Sequence, residues 1–588
     1  MKHITKKIAL ILAGMVFIFT SCLNDLDRFP INDITGDDVY TDVMGFRMAL
    51  ARVYGTLTLT GQQGPAGQSD IAGMDEGFSG FTRTFWNVQT LPTDEAFDNW
   101  GDDGLPALNS IEFDATNPFS GALYNRSILN ILFANHFMRQ SDPSNLGGFS
   151  DADRAEIAVM RAEARFIRAF QYWVLMDVFA NPPFIDETMP FGTIPSQKHE
   201  DANTGRAMLF SWIESELLYL ADNGLRPAGT NERGRVCQAA AWALLARIYL
   251  NANVYTSPVG NPGNNTQFYT SAIEFANRVI SSGVFSLHSN YEHLFLNDNQ
   301  DSPEMIWGLF FHGVHARTFS GVTFLINVAS NSEHQVNHRA ELLHYGMFLN
   351  ANWAGSRVRG QFVNLFDRDN DRRFLFVGPS TSIGANTDNF ALSGMATFKF
   401  RNIPSRMVVQ GCERTLDTTG SFYAHGTPGA CTVCGPNEGC FLFQRYMDEE
   451  RPFGNDPQRE FADNTFPLFR LAEMFLIYAE AIERGGSGGN RGAAIANLNE
   501  LQARAGLPNI SNFDLNWIID ERGRELFWEG HRRTDLVRFN RFTSGPSWEW
   551  RGGIPAGTTV LSHFNIYPIP FNDIMANQNL RQNPGFEL

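Results

Sequence analysis

Apolar residues at spacings of three and four return in segment after segment of this chain, and that rhythm limits it to a largely helical architecture. Val39, Val43, Phe46, Leu50, Val53 and Leu57 mark the first stretch, with Asp37 and Asp38 ahead of it as a cap. Periodic segments follow at residues 123–139, 151–179, 204–221, 236–251 and 269–281. Within residues 151–179, Ile157, Met160, Ala164, Ile167, Phe170 and Val174 alternate with Arg and Glu, as on a helix with one buried face. Small and aromatic residues mix at the contacts, as in AAAWALLARIYL, which suits helices packed in successive pairs. Helices return at residues 469–484, 491–504 and 517–528. The expected fold is mainly α: tetratricopeptide-like helix pairs in one α-rich domain, with long loops and a few short strands.

Residues 61–120 are rich in Gly, Pro, Asp and Asn and read as loop, yet they hold Phe78, Phe81, Phe85, Trp86, Phe97 and Trp100. Residues 283–465 read as an irregular insertion with β-like runs such as EMIWGLFF and MATFKFR. The body therefore divides into a helical-repeat part about 37–282, the insertion, and C-terminal helices and tail at 466–588.

The N-terminus reads as an export signal. Met1 to Lys7 is basic, and Ile8 to Thr20 is an apolar or small-residue run too short for a spanning helix of roughly 20 residues. Ser21-Cys22 at its end resembles a lipoprotein cleavage box. Residues 1–21 are then the signal peptide, Cys22 the acylated residue, and the acidic stretch 22–36 a tether. The net charge of −17 argues against nucleic acid as a partner. Cys237 lies in an apolar helical run and reads as a buried small hydrophobe. Cys412, Cys431, Cys434 and Cys440 cluster; in an exported protein two disulfides are the favoured reading, with a zinc site as the alternative.

Glu521, Arg522, Arg524, Glu525, Arg532, Arg533, Asp535 and Arg538 form a dense set of opposite charges at helical spacing. A catalytic dyad of Glu525 and Glu529 would need one raised pKa, and the surrounding arginines oppose that, so the set reads as scaffold. Asp367-x-Asp369-x-Asp371 suggests calcium, but Arg372 and Gly378 stand where an EF-hand loop needs Gly and Glu, so no metal is expected. No phosphate-binding glycine loop, metalloprotease helix or serine elbow is present, and no cofactor is expected.

Four C-terminal segments carry a resemblance. FRLAEMFLIYAEAIERG, AAIANLNELQARAGLP, IIDERGRELFWEGHRRTDLVRF and YPIPFNDI with NQNLRQNPGF resemble, in this order, the closing motifs of the SusD/RagB family of outer-membrane lipoproteins. Thr93-Asp94-Glu95 is similar to the family's SDE-like motif. The resemblance implies a surface lipoprotein that is not an enzyme and binds a nutrient, an oligosaccharide or polysaccharide, for a SusC-like TonB-dependent transporter. It also places ligand contacts on two loops. One holds Asp98, Asn99 and Trp100, the other Asn352 and Trp353, and Trp86 is a further candidate. On physical grounds indoles suit the C–H faces of sugar rings, and carboxylates and amides suit their hydroxyls. Two alternatives stand beside this. One is an envelope glycoside hydrolase using a carboxylate pair among Asp94, Glu95, Asp98, Asp102 and Asp103. The other keeps the transport role with peptide as cargo.

Overall fold

The computed structural model describes residues 39–61, 68–190, 192–329, 353, 355–366, 372, 376–377, 394–397, 399–401 and 460–587. Cys22, the tether, Asp37, Asp38, Asn352, Asp367, Asp369, Asp371 and the cysteines at 412, 431, 434 and 440 lie outside the described residues.

The first helix, α1 (Val43–Thr58), begins where the Asp42 carboxylate accepts the Gly45 N–H at 2.7 Å. Helix α2 (Phe81–Thr90) then forms inside the stretch expected to be loop. Nine of its ten residues are buried, Arg83 excepted, although six of the ten are polar, so the segment reads from its composition as surface loop. Strand β1 (Ala96–Asp98) and the short helix α3 (Leu105–Ser110) lie in the same stretch. Helix α4 (Pro118–Gln140) starts with Asn117 as cap and Pro118 in the first turn, where a missing N–H costs nothing. Helix α5 (Asp151–Phe179) opens on a reciprocal box between Ser150 and Asp153.

Three more helices continue the succession: α6 (Ala202–Asp222), α7 (Gln238–Leu250) and, after the single turn α8 (Ala252–Tyr255), α9 (Thr266–Ile280). Each packs on its neighbour: α4 on α5, α5 on α6, α6 on α7 and α7 on α9. Cys237, directly before α7, is buried and free, as expected. The C-terminal helices close the stack, with α9 packing on the helix Leu471–Glu483.

Among the described residues the insertion contributes strands and the short helices α10 (Val322–Ala329) and α11 (Gly360–Val363). Strand β1 pairs antiparallel with Ser356–Arg359, setting Ala96 opposite Val358 and Asp98 opposite Ser356. That strand pairs in turn with Gly394–Thr397, and the last with Phe376–Val377. A second antiparallel pair joins Met305–Phe310, the EMIWGLFF run, to Thr465–Arg470. The helix expected from residue 469 therefore starts two residues later, with Arg470 still extended at φ −141° as its cap. Buried apolar residues from Phe46 to Leu580 make one continuous core. No described helix is long and apolar enough to cross a membrane.

Candidate functional site

The pairing of β1 with Ser356–Arg359 brings the two indole loops together. Asp98 ends β1, and its backbone N–H and C=O are both taken by the Asn109 side chain, at 2.9 and 2.7 Å. One carboxylate oxygen accepts the Trp100 N–H at 2.8 Å and the other accepts the Ser356 hydroxyl at 2.6 Å. Burial raises the Asp98 pKa, and those two hydrogen bonds and Arg83 work against the rise. Across the strand end, the Asn99 N–H donates to Gly355 O at 3.0 Å. Asp98, expected to meet the ligand, is instead the clasp that sets the loop, and it is 3% exposed. Asn99 beside it is exposed.

Trp100 and Trp353 form the centre of the site. Their ring centroids lie 6.4 Å apart at 45°, and Trp100 Nε1 donates to Trp353 O at 3.2 Å. The Trp353 N–H donates to Asn327 O at 2.9 Å, which fixes the second indole on α10. Phe324 of α10, fully buried, is the floor: its ring is 6.5 Å from Trp100 and 6.3 Å from Trp353. Arg83 of α2 lies over Phe324 at 4.2 Å and 5.8 Å from the Trp100 ring, a cation–π arrangement. Burial pulls the Arg83 pKa down to about 10, against the pull of Asp98, Asp102, Asp75 and Glu76, so it stays charged at neutral pH. Gly355 makes the close approach possible, since a Cβ there would sit 2.7 Å from Trp100 Cε2 and 2.7 Å from Val328 Cγ2. Both indoles are half-buried and pack against the core.

Phe324, Arg83 and Asn109 were not read as site residues from the sequence. Arg83 and Phe324 are 17 and 29 positions from the nearer tryptophan of the pair, Phe324 lies inside an apolar run, and Asn109 acts through the Asp98 backbone.

Trp86 does not belong to this platform. It is 0% exposed, with its ring 4.6 Å from Trp528 and 6.1 Å from Phe324. It lies in a helix buried on nearly all sides, and it reaches the platform only through Phe324.

The carboxylates considered for hydrolysis are mostly engaged. Asp94 holds Arg532 through two hydrogen bonds of 2.7 Å. Glu95 is buried and accepts the Trp528 N–H at 2.8 Å. Burial pushes its pKa up to about 8, against that N–H, Arg532 and Lys399. Asp102 and Asp103 are exposed.

The dense charge set is internal. Arg470 pairs with Glu304, Glu525 and Glu529; Arg504 with Glu304 and Glu525; Arg372 with Glu521 and Glu525. Arg538 holds Glu480 and Asp535, and Arg522 holds Asp535 at 2.8 Å. At Glu525 burial favours the neutral acid, but Arg504, Arg470 and Arg372 outweigh it and hold the carboxyl far below the usual range. These groups serve as ion pairs, as the sequence implied. Among the described residues no cluster of three His, Cys, Asp or Glu could hold a metal.

The sequence profile of the SusD family matches residues 358–586. The starch-binding protein SusD of Bacteroides thetaiotaomicron is 32% identical over 582 residues, 97% of this chain and 96% of its own. Among solved structures, a laminarin-binding SusD-like protein superposes with a TM-score of 0.62 at 20% identity, covering 92% of this chain and 99% of that one. Surface glycan-binding protein A of Bacteroides thetaiotaomicron, solved with laminarihexaose, gives 0.60 at 19% identity and the same coverage. An α-rich fold, the C-terminal motifs and a relative this similar over nearly the whole length agree: the chain belongs to the SusD family.

Proposed function

We propose that this protein captures a glycan chain at the cell surface and passes it unaltered to a SusC-like TonB-dependent transporter. The carrying observation is the Trp100–Trp353 pair, two half-buried indoles held on a buried floor by Asp98, Asn109, Ser356 and Asn327. Fixed aromatic planes hold sugar rings with little ordering cost. Asn99, exposed beside Trp100, and Asn352, next to Trp353 in sequence, are the amides offered to sugar hydroxyls. The related starch-binding protein and the laminarihexaose complex support a glycan as cargo.

A binding role without catalysis fits the same region. A hydrolase needs two carboxyl groups free to face one bond. Asp94, Glu95 and Asp98 are committed to Arg532, to Trp528 N–H and to the Trp100 loop. Acylation at Cys22 would tether the body to the outer membrane and hold many copies over the transporter, which raises the effective concentration of a weak site.

The test is affinity electrophoresis of residues 23–588 through gels cast with starch, laminarin and xylan, with chromatography of the same mixtures for products. Retardation that Trp100→Ala and Trp353→Ala abolish, with no product formed, is the expected result. Turnover lost on replacing Asp102 or Asp103 would establish the hydrolase instead, and retention by peptides alone would make the cargo peptidic. Incorporation of labelled palmitate that Cys22→Ala abolishes checks the anchor.

A further inference from the structure

Arg206 of α6 is 2% exposed. Its guanidinium lies 5.0 Å from the centre of the Tyr255 ring and donates from Nη1 to Val254 O at 3.3 Å. Among the described residues Nε has no acceptor, and the carboxylate that acts on the group is Asp177. That carboxylate is already engaged. One oxygen accepts Gln89 Nε2 at 2.9 Å, the Thr534 hydroxyl at 2.8 Å and Arg533 Nη1 at 3.1 Å, and the other accepts the Tyr255 hydroxyl at 2.9 Å. Two buried guanidinium groups therefore share one negative charge. Burial draws the Arg206 pKa down to about 10, with Arg533 adding to it and Tyr255 and Asp177 opposing it, so the group is charged at neutral pH. A buried charge with no counterpart is costly. Arg551, fully buried as well, lies among backbone carbonyls, with Ser544 O at 3.1 Å and Gly545 O at 3.3 Å; Arg206 has Val254 O alone.

Arg206 lines a small pocket with Pro258 and Gly260 from the loop after α8 and with Val537, Asn540 and Asn565 from the C-terminal segments; none of its walls carries an acid. The centre of a water-sized sphere has about 10 Å³ to move in, room for one atom-sized guest and not for a phosphate or a sugar. The walls are fixed in advance. The Val259 N–H donates to Asn203 Oδ1 at 3.1 Å, and Gly260, at φ +78°, lets the loop close on Ser562, whose Cβ would lie 2.6 Å from an added Cβ. Asn565 donates through Nδ2 to Ser562 O at 3.0 Å, and its own C=O accepts Arg533 Nη2 at 2.6 Å. A water molecule here would satisfy Nε and leave the charge unmatched. A monovalent anion answers both needs.

We propose that Arg206 and this pocket form a halide site, filled by chloride, with Arg206 Nε–H as the first donor and the Asn540 amide as the second. The ion ties the loop after α8, in the helical-repeat part, to the C-terminal segments that carry Asn540 and Asn565. This is independent of the glycan reading, since the pocket shares no residue with the tryptophan platform.

Scanning calorimetry at constant ionic strength, with sodium gluconate replaced stepwise by sodium chloride, tests it. Above the dissociation constant the unaltered protein should gain about 1 °C in Tm for each tenfold rise in chloride, and bromide should act alike. Arg206→Met, uncharged and of similar reach, should lose that dependence. Asn540→Asp supplies the negative charge from within, at a φ of +53° that Asp tolerates. It should lose the dependence too, and in gluconate it should melt no lower than the unaltered protein. The chloride NMR line gives a reading apart from stability: the unaltered protein should broaden it, and bromide or Asn540→Asp should restore its width. If Arg206→Met does not fold, Asn540→Asp and the NMR line decide. A Tm indifferent to chloride in the unaltered protein, a dependence kept by either variant, or a chloride line that bromide does not sharpen overturns the halide site.

Discussion

Glu95 offers a measurement that reports directly on the base of the binding loop. It stands immediately before β1, is 1% exposed, and accepts the Trp528 N–H at 2.8 Å. Burial is the main cause that lifts its pKa from 4.5 to about 8. The folded pKa is raised, so the native state holds this proton across a window where the unfolded chain has released it. The resulting stabilisation is complete below about pH 4.5 and is lost as pH rises through about 8. A displacement of that size corresponds to roughly 5 kcal/mol at most. For a chain of this length the unfolding entropy is on the order of 1.2 kcal/mol per degree, so the effect is about 4 °C in Tm. Glu95→Gln keeps an oxygen to accept the Trp528 N–H and cannot ionise. Scanning calorimetry of both proteins from pH 5 to pH 9, a range that covers about three of the pH units of that displacement, should show Tm of the variant minus Tm of the unaltered protein growing by about 3 °C. A constant difference would refute the argument, because it would mean that Glu95 is already ionised in the folded protein at pH 5.

Three further outcomes separate site from scaffold. Trp86→Ala should cost roughly 3–5 kcal/mol of stability by creating a core cavity, read by denaturant unfolding, with glycan affinity within about twofold; Trp100→Ala should do the opposite. Gly355→Ala should displace the Trp100 ring that its Cβ would touch, weakening binding more than tenfold in calorimetric titration at a stability cost of about 1–3 kcal/mol. Arg470→Met removes one cation from Glu304, Glu525 and Glu529 at once and should destabilise by at least 3–5 kcal/mol, seen as a lower denaturation midpoint.

Helix α5 was legible because it exposes one face along residues 151–179, and α7 because its sequence is an almost unbroken run of helix-forming apolar residues. Helix α2 was not, since six of its ten residues are polar yet all but Arg83 are buried, and Trp86 was consequently misread as a loop aromatic. The tryptophan pair could be named from family resemblance, but its chemistry could not. Whether Asp98 faces a ligand or serves the loop depends on the Ser356 hydroxyl, 258 positions away, and on Asn109. Spacing along a chain carries no information about partners at that separation. The charge set was legible as a set, from its density, but its partners were not: the arginines that hold the Glu525 carboxyl down are Arg504, Arg470 and Arg372, 21, 55 and 153 positions away.

That charge set also explains why a motif at the C-terminus accompanies a site built near the N-terminus and in the insertion. Buried ion pairs add little net stability compared with apolar packing, but they tolerate few alternative geometries, since a broken pair leaves a bare charge. Here they join distant segments. Arg532 grips Asp94, 438 positions away, through both carboxylate oxygens; Arg533 reaches Asp177 across 356; and Trp528 N–H is taken by Glu95 across 433. Asp94 and Glu95 lie two and one residues before β1, the strand that ends in Asp98 and leads to Trp100. The tryptophan platform is therefore clamped at its root by Trp528 and the short helix Arg532–Arg538, where Arg538 also holds Glu480 and Asp535. Under the proposed role, holding the planes of two indoles steady needs such a root more than it needs a reactive group. On this reasoning Arg532→Lys, which keeps the charge but loses the two-point grip on Asp94, should loosen glycan binding before it lowers the melting temperature appreciably. If the melting temperature fell while affinity held, the clamp would be serving the fold alone.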